Sequence, residues 1–70
     1  MSAETVKKVA KKLKAIRQDR HLTQLEVAEK AGISTNYYAR IERGDTAISM
    51  EIFEKLVKAL KVHSSDILPF

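Results

Sequence analysis

"LTQLEVAEKAGISTNYYARIERG", Leu22 to Gly44, decides the fold, because every helix boundary in it is written in local chemistry. Thr23 stands three residues before Glu26. At that spacing the threonine oxygen accepts from the backbone near Glu26 while the carboxylate reaches back, so a helix starts here. Gly32 is available for a left-handed cap that ends it. Ser34 can cap a second helix, which Gly44 closes. Within that second helix Tyr38 and Ile41 fall three apart on one side, and Thr35, Asn36 and Arg40 make up the other. Val27 and Ala28 face inward from the first of the pair, Ala31 keeps the joint slim, and Ile33 helps fill the core beneath. Two helices joined by only the few residues around Gly32 must meet at a sharp angle, which is the geometry of a helix-turn-helix over about residues 23 to 43.

The flanks read as further helices. Val6, Val9, Ala10, Leu13 and Ile16 recur at three and four residues and predict a helix from about Glu4 to Asp19, with Ser2 as N-cap. Ser49 opens another, with Glu51 near its positive end and Met50, Phe53, Leu56, Val57 and Leu60 expected inward. A last turn, Ser65 to Leu68, closes the core. The only proline is Pro69 and the only glycines are Gly32 and Gly44, and no period-two alternation is long enough for a strand. The fold class is all-α, a single compact domain over residues 1–70.

Composition bounds the function. Seventy residues bury too little to enclose a deep catalytic cleft. Without cysteine there is neither a disulfide nor a thiolate metal site, so helix packing or self-association must hold the chain together. Thirteen Lys and Arg against nine Asp and Glu give a net charge of +4 and a pI near 9.6, a modest case for a polyanionic partner. No apolar run approaches the roughly 18 residues of a membrane span, and no signal segment is apparent. The expectation is a cytoplasmic protein that is not an enzyme and uses no cofactor.

The same stretch, with Leu22, Gln24, Ala28, Ala31-Gly32, Ser34, Arg40-Ile41-Glu42 and Gly44 in register, resembles the Cro/phage-repressor type of helix-turn-helix domain over roughly residues 6 to 68. The resemblance implies a five-helix domain whose third helix lies in the major groove of double-stranded DNA. Carried over, Thr35, Asn36 and Arg40 become the base readers, residue types whose donors and acceptors suit base edges. Thr23, Gln24 and Arg43 become phosphate contacts. The Tyr37 hydroxyl reaches a phosphate or, alternatively, its ring shields the helix pair. Arg17 and Glu42 match a partly buried ion pair that positions the recognition helix. Relatives pair two-fold at the far end of the domain, where Ile52, His63, Ser64 and Phe70 stand. Those residues either close the core alone or form a homodimer interface.

Several positions depart from the family pattern. His21 stands where glycine is frequent, at a site that calls for left-handed backbone, and Lys61 does so at the end of the fourth helix. A pH sensor or metal ligand at His21 is the weaker alternative, since no carboxylate-histidine spacing accompanies it. Asp45 follows Gly44 where many relatives carry a positive residue, and a carboxylate facing DNA weakens phosphate contact. Lys7, Lys8, Lys11, Lys12 and Lys14 spread around the polar side of the first helix and read as a solvated face, while Leu25 and Ile52 are apolar where exposure is expected.

These readings point to a DNA-binding transcriptional regulator, a repressor acting as a dimer on an inverted repeat. An antitoxin and a restriction-modification controller are alternatives of the same fold. A protein-interaction adaptor is the rival from another class, and it calls for an apolar anchor on the outer face of the third helix where Thr35, Asn36 and Arg40 stand.

Overall fold

The structure is a computed structural model that describes residues 2–68. Four α-helices follow in order, α1 (Ala3–Asp19), α2 (Gln24–Ala31), α3 (Thr35–Arg43) and α4 (Met50–Leu60), and a single 3₁₀ turn, Ser64–Asp66, closes the chain. The fifth helix of the sequence expectation is thus one turn only, beginning a residue earlier than foreseen. The chain must bring Ile67 back beneath α4, and the few residues between Lys61 and Ile67 leave room for no more.

Every α-helix starts on a side-chain cap. Ser2, Thr23, Ser34 and Ser49 accept from the backbone N–H of Thr5, Glu26, Tyr37 and Ile52 respectively. At α2 the box is complete, since Glu26 accepts from the Thr23 N–H at 2.9 Å. That bond is the leading reason the Glu26 carboxyl titrates below its ordinary range.

The helix ends are equally uniform. After each helix a residue in the left-handed region donates its N–H to the carbonyl three residues back, and the next residue donates to the one five back. The left-handed residues are His21 (φ 57°), Gly32 (φ 72°), Gly44 (φ 74°) and Lys61 (φ 55°). At three of these ends the following residue, Leu22, Ile33 or Val62, is apolar and packs against the core. After α3 that residue is Asp45, which is exposed.

The core gathers Val9 and Leu13 from α1, Val27, Ala28 and Ala31 from α2, Tyr38 and Ile41 from α3, Phe53, Leu56 and Leu60 from α4, with Ile48 and Ile67 from the connections. Helix α3 is wedged between α1 and α2, and α2 also packs on α4. Met50 is a correction, because it is 78% exposed although it shares the Phe53 side of α4. As the first residue of the helix its side chain leans back past the N-terminal end, beyond the layer below. Ile48, from the preceding loop, fills that layer instead. Ile52 is half-buried against the core edge rather than exposed, whereas Leu25 is solvent-facing as expected. No helix among the described residues is long and apolar enough to cross a membrane.

Candidate nucleic-acid interface

Helix α3 divides cleanly into two sides. Tyr38 and Ile41 are wholly buried, while Asn36, Arg40 and Arg43 are exposed at spacings of four and three residues and so share one outer row. Thr35, half-buried, heads the helix beside them. Among the described residues the side chains of Thr35, Asn36 and Arg40 make no hydrogen bond within the chain, which leaves an amide, a hydroxyl and a guanidinium free on one surface. Gly32, between α2 and α3, and Gly44, after α3, are both left-handed and turn the chain at either end of α3.

A polar lock holds α3 from behind. Arg17 Nε donates to Glu42 Oε2 at 2.6 Å and Nη2 to Oε1 at 3.1 Å, while Nη1 donates to the Leu22 carbonyl at 2.8 Å. The fork therefore clamps the end of α3 to α1 and, through Leu22, to the entrance of α2. Gln24 Nε2 completes the cluster by donating to Glu42 Oε1 at 3.2 Å. Burial alone pushes the Glu42 carboxyl up, but Arg17, the neighbouring Tyr38 phenol and Gln24 together outweigh it and hold the pKa below the ordinary range. Hydrogen bonding to Glu42 raises Arg17 against the opposing effect of its own burial. The Tyr38 hydroxyl is buried beside this cluster without a partner in hydrogen-bonding geometry. Burial, then the Glu42 charge, keeps its proton on far above the usual phenol range.

The N-terminus of α2 offers fewer free donors than the sequence suggests. The capping box takes the N–H groups of Thr23 and Glu26, leaving those of Gln24 and Leu25, together with the Thr23 hydroxyl, to face outward. Gln24 keeps one amide hydrogen beyond the bond to Glu42. Its link to Glu42 was not legible from spacing, because the two residues lie 18 apart. Arg43 is exposed and its Nε donates to Asp45 Oδ2 at 2.8 Å. Tyr37 packs its ring partly against the core.

The opposite end of the domain carries a cleft of about 410 Å³ lined by Ile48, Met50, Phe53, Ser64 and Leu68. Ser64 of the expected interface residues lines it, Ile52 is half-buried and His63 exposed without lining it, and Phe70 lies outside the described residues. Among the described residues no three His, Asp or Glu side chains gather as a metal site would require.

The sequence profile of the helix-turn-helix family matches residues 13–67, the whole of the α2–α3 unit and its support. The chain belongs to the helix-turn-helix family. It falls in the Cro/phage-repressor type of that family, whose members are DNA-binding regulators rather than enzymes. This helix-turn-helix chain is 42% identical over 60 residues to the immunity repressor protein of Bacillus phage phi105, covering 86% of itself and 42% of that relative. It is 35% identical over 60 residues to antitoxin PezA of Streptococcus pneumoniae, covering 86% of itself and 38% of that protein. The chain thus spans about two-fifths of the length of these relatives. Its structure superposes on the restriction-modification controller protein C.AhdI from Aeromonas hydrophila with a TM-score of 0.87 and 25% identity, covering 90% of this chain and 96% of that one. The clp gene regulator ClgR from C. glutamicum gives a TM-score of 0.86 at 27% identity, over 90% of this chain and 82% of that one.

Proposed function

We propose that this chain is a sequence-specific repressor that binds double-stranded DNA as a homodimer on an inverted repeat, with α3 inserted in the major groove. The observation that carries the reading is the outer row of α3, whose Thr35, Asn36 and Arg40 are free of intramolecular hydrogen bonds while the inner row is wholly buried. Asn pairs bidentately with adenine and Arg with guanine, and threonine offers a hydroxyl and a methyl, so this row can discriminate base pairs. Phosphates on one side meet the Gln24 and Leu25 N–H groups, the Thr23 hydroxyl and the second Gln24 amide hydrogen, and on the other Arg43 and the Tyr37 hydroxyl. The Arg17–Glu42–Gln24 cluster touches no base in this scheme. It sets the position of α3 relative to the N-terminus of α2, so that phosphate grip and base reading share one register.

The apolar cleft with Met50, Ile52, His63 and Ser64 near it is the dimer surface of the proposal, because a two-fold contact there buries Met50, the more exposed of the two large apolar side chains, Met50 and Leu25, that folding leaves bare among the described residues. Immunity repressor, antitoxin and controller all occur among the similar proteins, and repression follows the relative with the highest identity of those described. A protein-interaction adaptor fits less well, since the outer row of α3 offers no large apolar anchor.

Selection of bound duplexes from a random DNA pool by this chain, at near-physiological salt, tests the proposal. Enrichment of an inverted repeat with half-sites about one helical turn apart is the expected result. A pool that stays random would overturn it.

A further inference from the structure

At the ends of α1, α2 and α4 the residue after the left-handed position is Leu22, Ile33 or Val62, each turned onto the core. At the end of α3 the same place holds Asp45. Its backbone N–H makes the same closing bond, to the Arg40 carbonyl at 3.1 Å, so the turn does not depend on its side chain. That side chain is 53% exposed and accepts from Arg43 Nε at 2.8 Å, with Arg43 itself 60% exposed. The usual apolar anchor has been exchanged for a carboxylate aimed at the arginine nearest the DNA-facing corner. Lys7 passes the same corner, its Cγ within 3.1 Å of where a Cβ on Gly44 would stand.

We propose that Asp45 is an attenuator of backbone binding: it holds Arg43 in an internal ion pair that DNA phosphate must replace, lowering affinity for all sequences alike. The inference rests on the DNA-binding reading above. A solvent-exposed pair of this kind is weak, so it cannot lock the arginine away. It does cancel the Arg43 charge at first approach, and it leaves a carboxylate facing phosphate after Arg43 has changed partners. Phosphate contacts supply most of the sequence-independent affinity, so reducing them at one point lowers background occupancy of the genome without altering which bases α3 reads.

Asp45→Asn removes the charge and keeps the shape. Affinity is measured over a salt titration for wild type, Asp45→Asn, Arg43→Ala and the double variant, on a duplex recovered by selection and on a mixed-sequence duplex, with melting curves alongside. The expected result is a gain of about three- to tenfold for Asp45→Asn on both duplexes, a salt slope steeper by about one, and unchanged melting. In the Arg43→Ala background the gain should fall to less than about half of that ratio, because the paired arginine is gone. No gain for Asp45→Asn overturns the inference while leaving DNA binding intact. A loss would make Asp45 a buttress that pre-orients Arg43 and equally overturns it, as would a gain of the same size in both backgrounds. Wild-type chain that binds neither duplex overturns the DNA-binding reading, and this inference with it.

Discussion

Arg17 on α1 and Glu42 near the end of α3 are 25 residues apart in sequence and joined by a two-pronged ion pair, with side chains only 13% and 3% exposed. The pair is the one charged link through the interior between α1 and α3 among the described residues. Its value lies in what happens when it is broken. Forming a buried pair gains little after desolvation, but removing one partner strands the other.

Arg17→Ala should therefore destabilise the domain by about 3 kcal/mol, because Glu42 stays buried with only Gln24 donating to it. Replacing both residues with apolar ones of similar volume, Arg17→Met with Glu42→Leu, should recover much of the loss. Chemical denaturation of the three variants checks this. DNA affinity should stay reduced in the double variant if the cluster sets the register of α3, so stability and binding separate there.

The same cluster shapes the pH profile at both ends. Glu42 has a folded-state pKa below its unfolded value, so its contribution is fully present above about pH 4.3 and is lost as pH falls through the lower folded value. Tyr38 is raised, so the neutral phenol costs nothing below about pH 10, and above that the unfolded chain releases a proton the folded chain retains. Stability should decline on both flanks. Tyr38→Phe should flatten the alkaline decline and also shrink the acid one, since the phenol helps hold the Glu42 carboxyl below its ordinary range. Denaturant midpoints across pH for wild type and Tyr38→Phe measure both effects.

The left-handed helix ends make a graded series. Gly44→Ala should cost more than Gly32→Ala, since both require positive φ but only at Gly44 does a Cβ meet a neighbour, Lys7, at 3.1 Å from Cγ and 3.5 Å from Cα. The strain alone is about 1–2 kcal/mol at each. In the reverse sense, His21→Gly and Lys61→Gly relieve non-glycine residues at φ 57° and 55° and should stabilise by up to about 1 kcal/mol each. Thermal melting of the four single variants orders them.

What local chemistry determines was readable from the chain, and what packing determines was not. The Thr23–Glu26 box, the serine caps and the left-handed sites at Gly32 and Gly44 each depend on residues within one helical turn of one another, so spacing reveals them, whereas the left-handed sites at His21 and Lys61 came from the resemblance. The resemblance added Arg17–Glu42, which no spacing rule gives. Met50 misled because periodicity assigns a side but not a depth, and at a helix start the layer below can end before the helix does. The partnerless Tyr38 hydroxyl and the Gln24–Glu42 bond are three-dimensional facts, set by how α1, α2 and α3 meet. The final turn, read at Ser65 to Leu68, lies at Ser64–Asp66 with Ile67 buried behind it, and it is all there is of the fifth helix that the resemblance implied.

The arginines of α3 should separate by kind of contact. Arg40, exposed and unpaired within the described residues, is placed to read a base, so Arg40→Ala should cost about 1–3 kcal/mol on the preferred duplex and relax one position of the site. Arg43→Ala should weaken binding to all duplexes by a similar factor and flatten the salt slope by about one. Binding to a panel of single-base variants at several salt concentrations distinguishes them.

The far end of the domain gives the test of assembly. Met50 is 78% exposed in the isolated chain, so Met50→Glu removes no core contact and should leave the melting temperature of a monomer unchanged. On a two-fold interface the same change sets one glutamate near its symmetry mate against an apolar cleft lined by Ile48, Phe53 and Leu68, where an unpaired charge is costly. Sedimentation should show the wild type associating and Met50→Glu shifted toward monomer. Binding to a full inverted repeat should drop by at least about tenfold while binding to a single half-site stays the same, because only the full site gains from linking two copies. Equal losses on both duplexes would place Met50 in the DNA contact instead, and no loss on either would remove the cleft from the dimer surface.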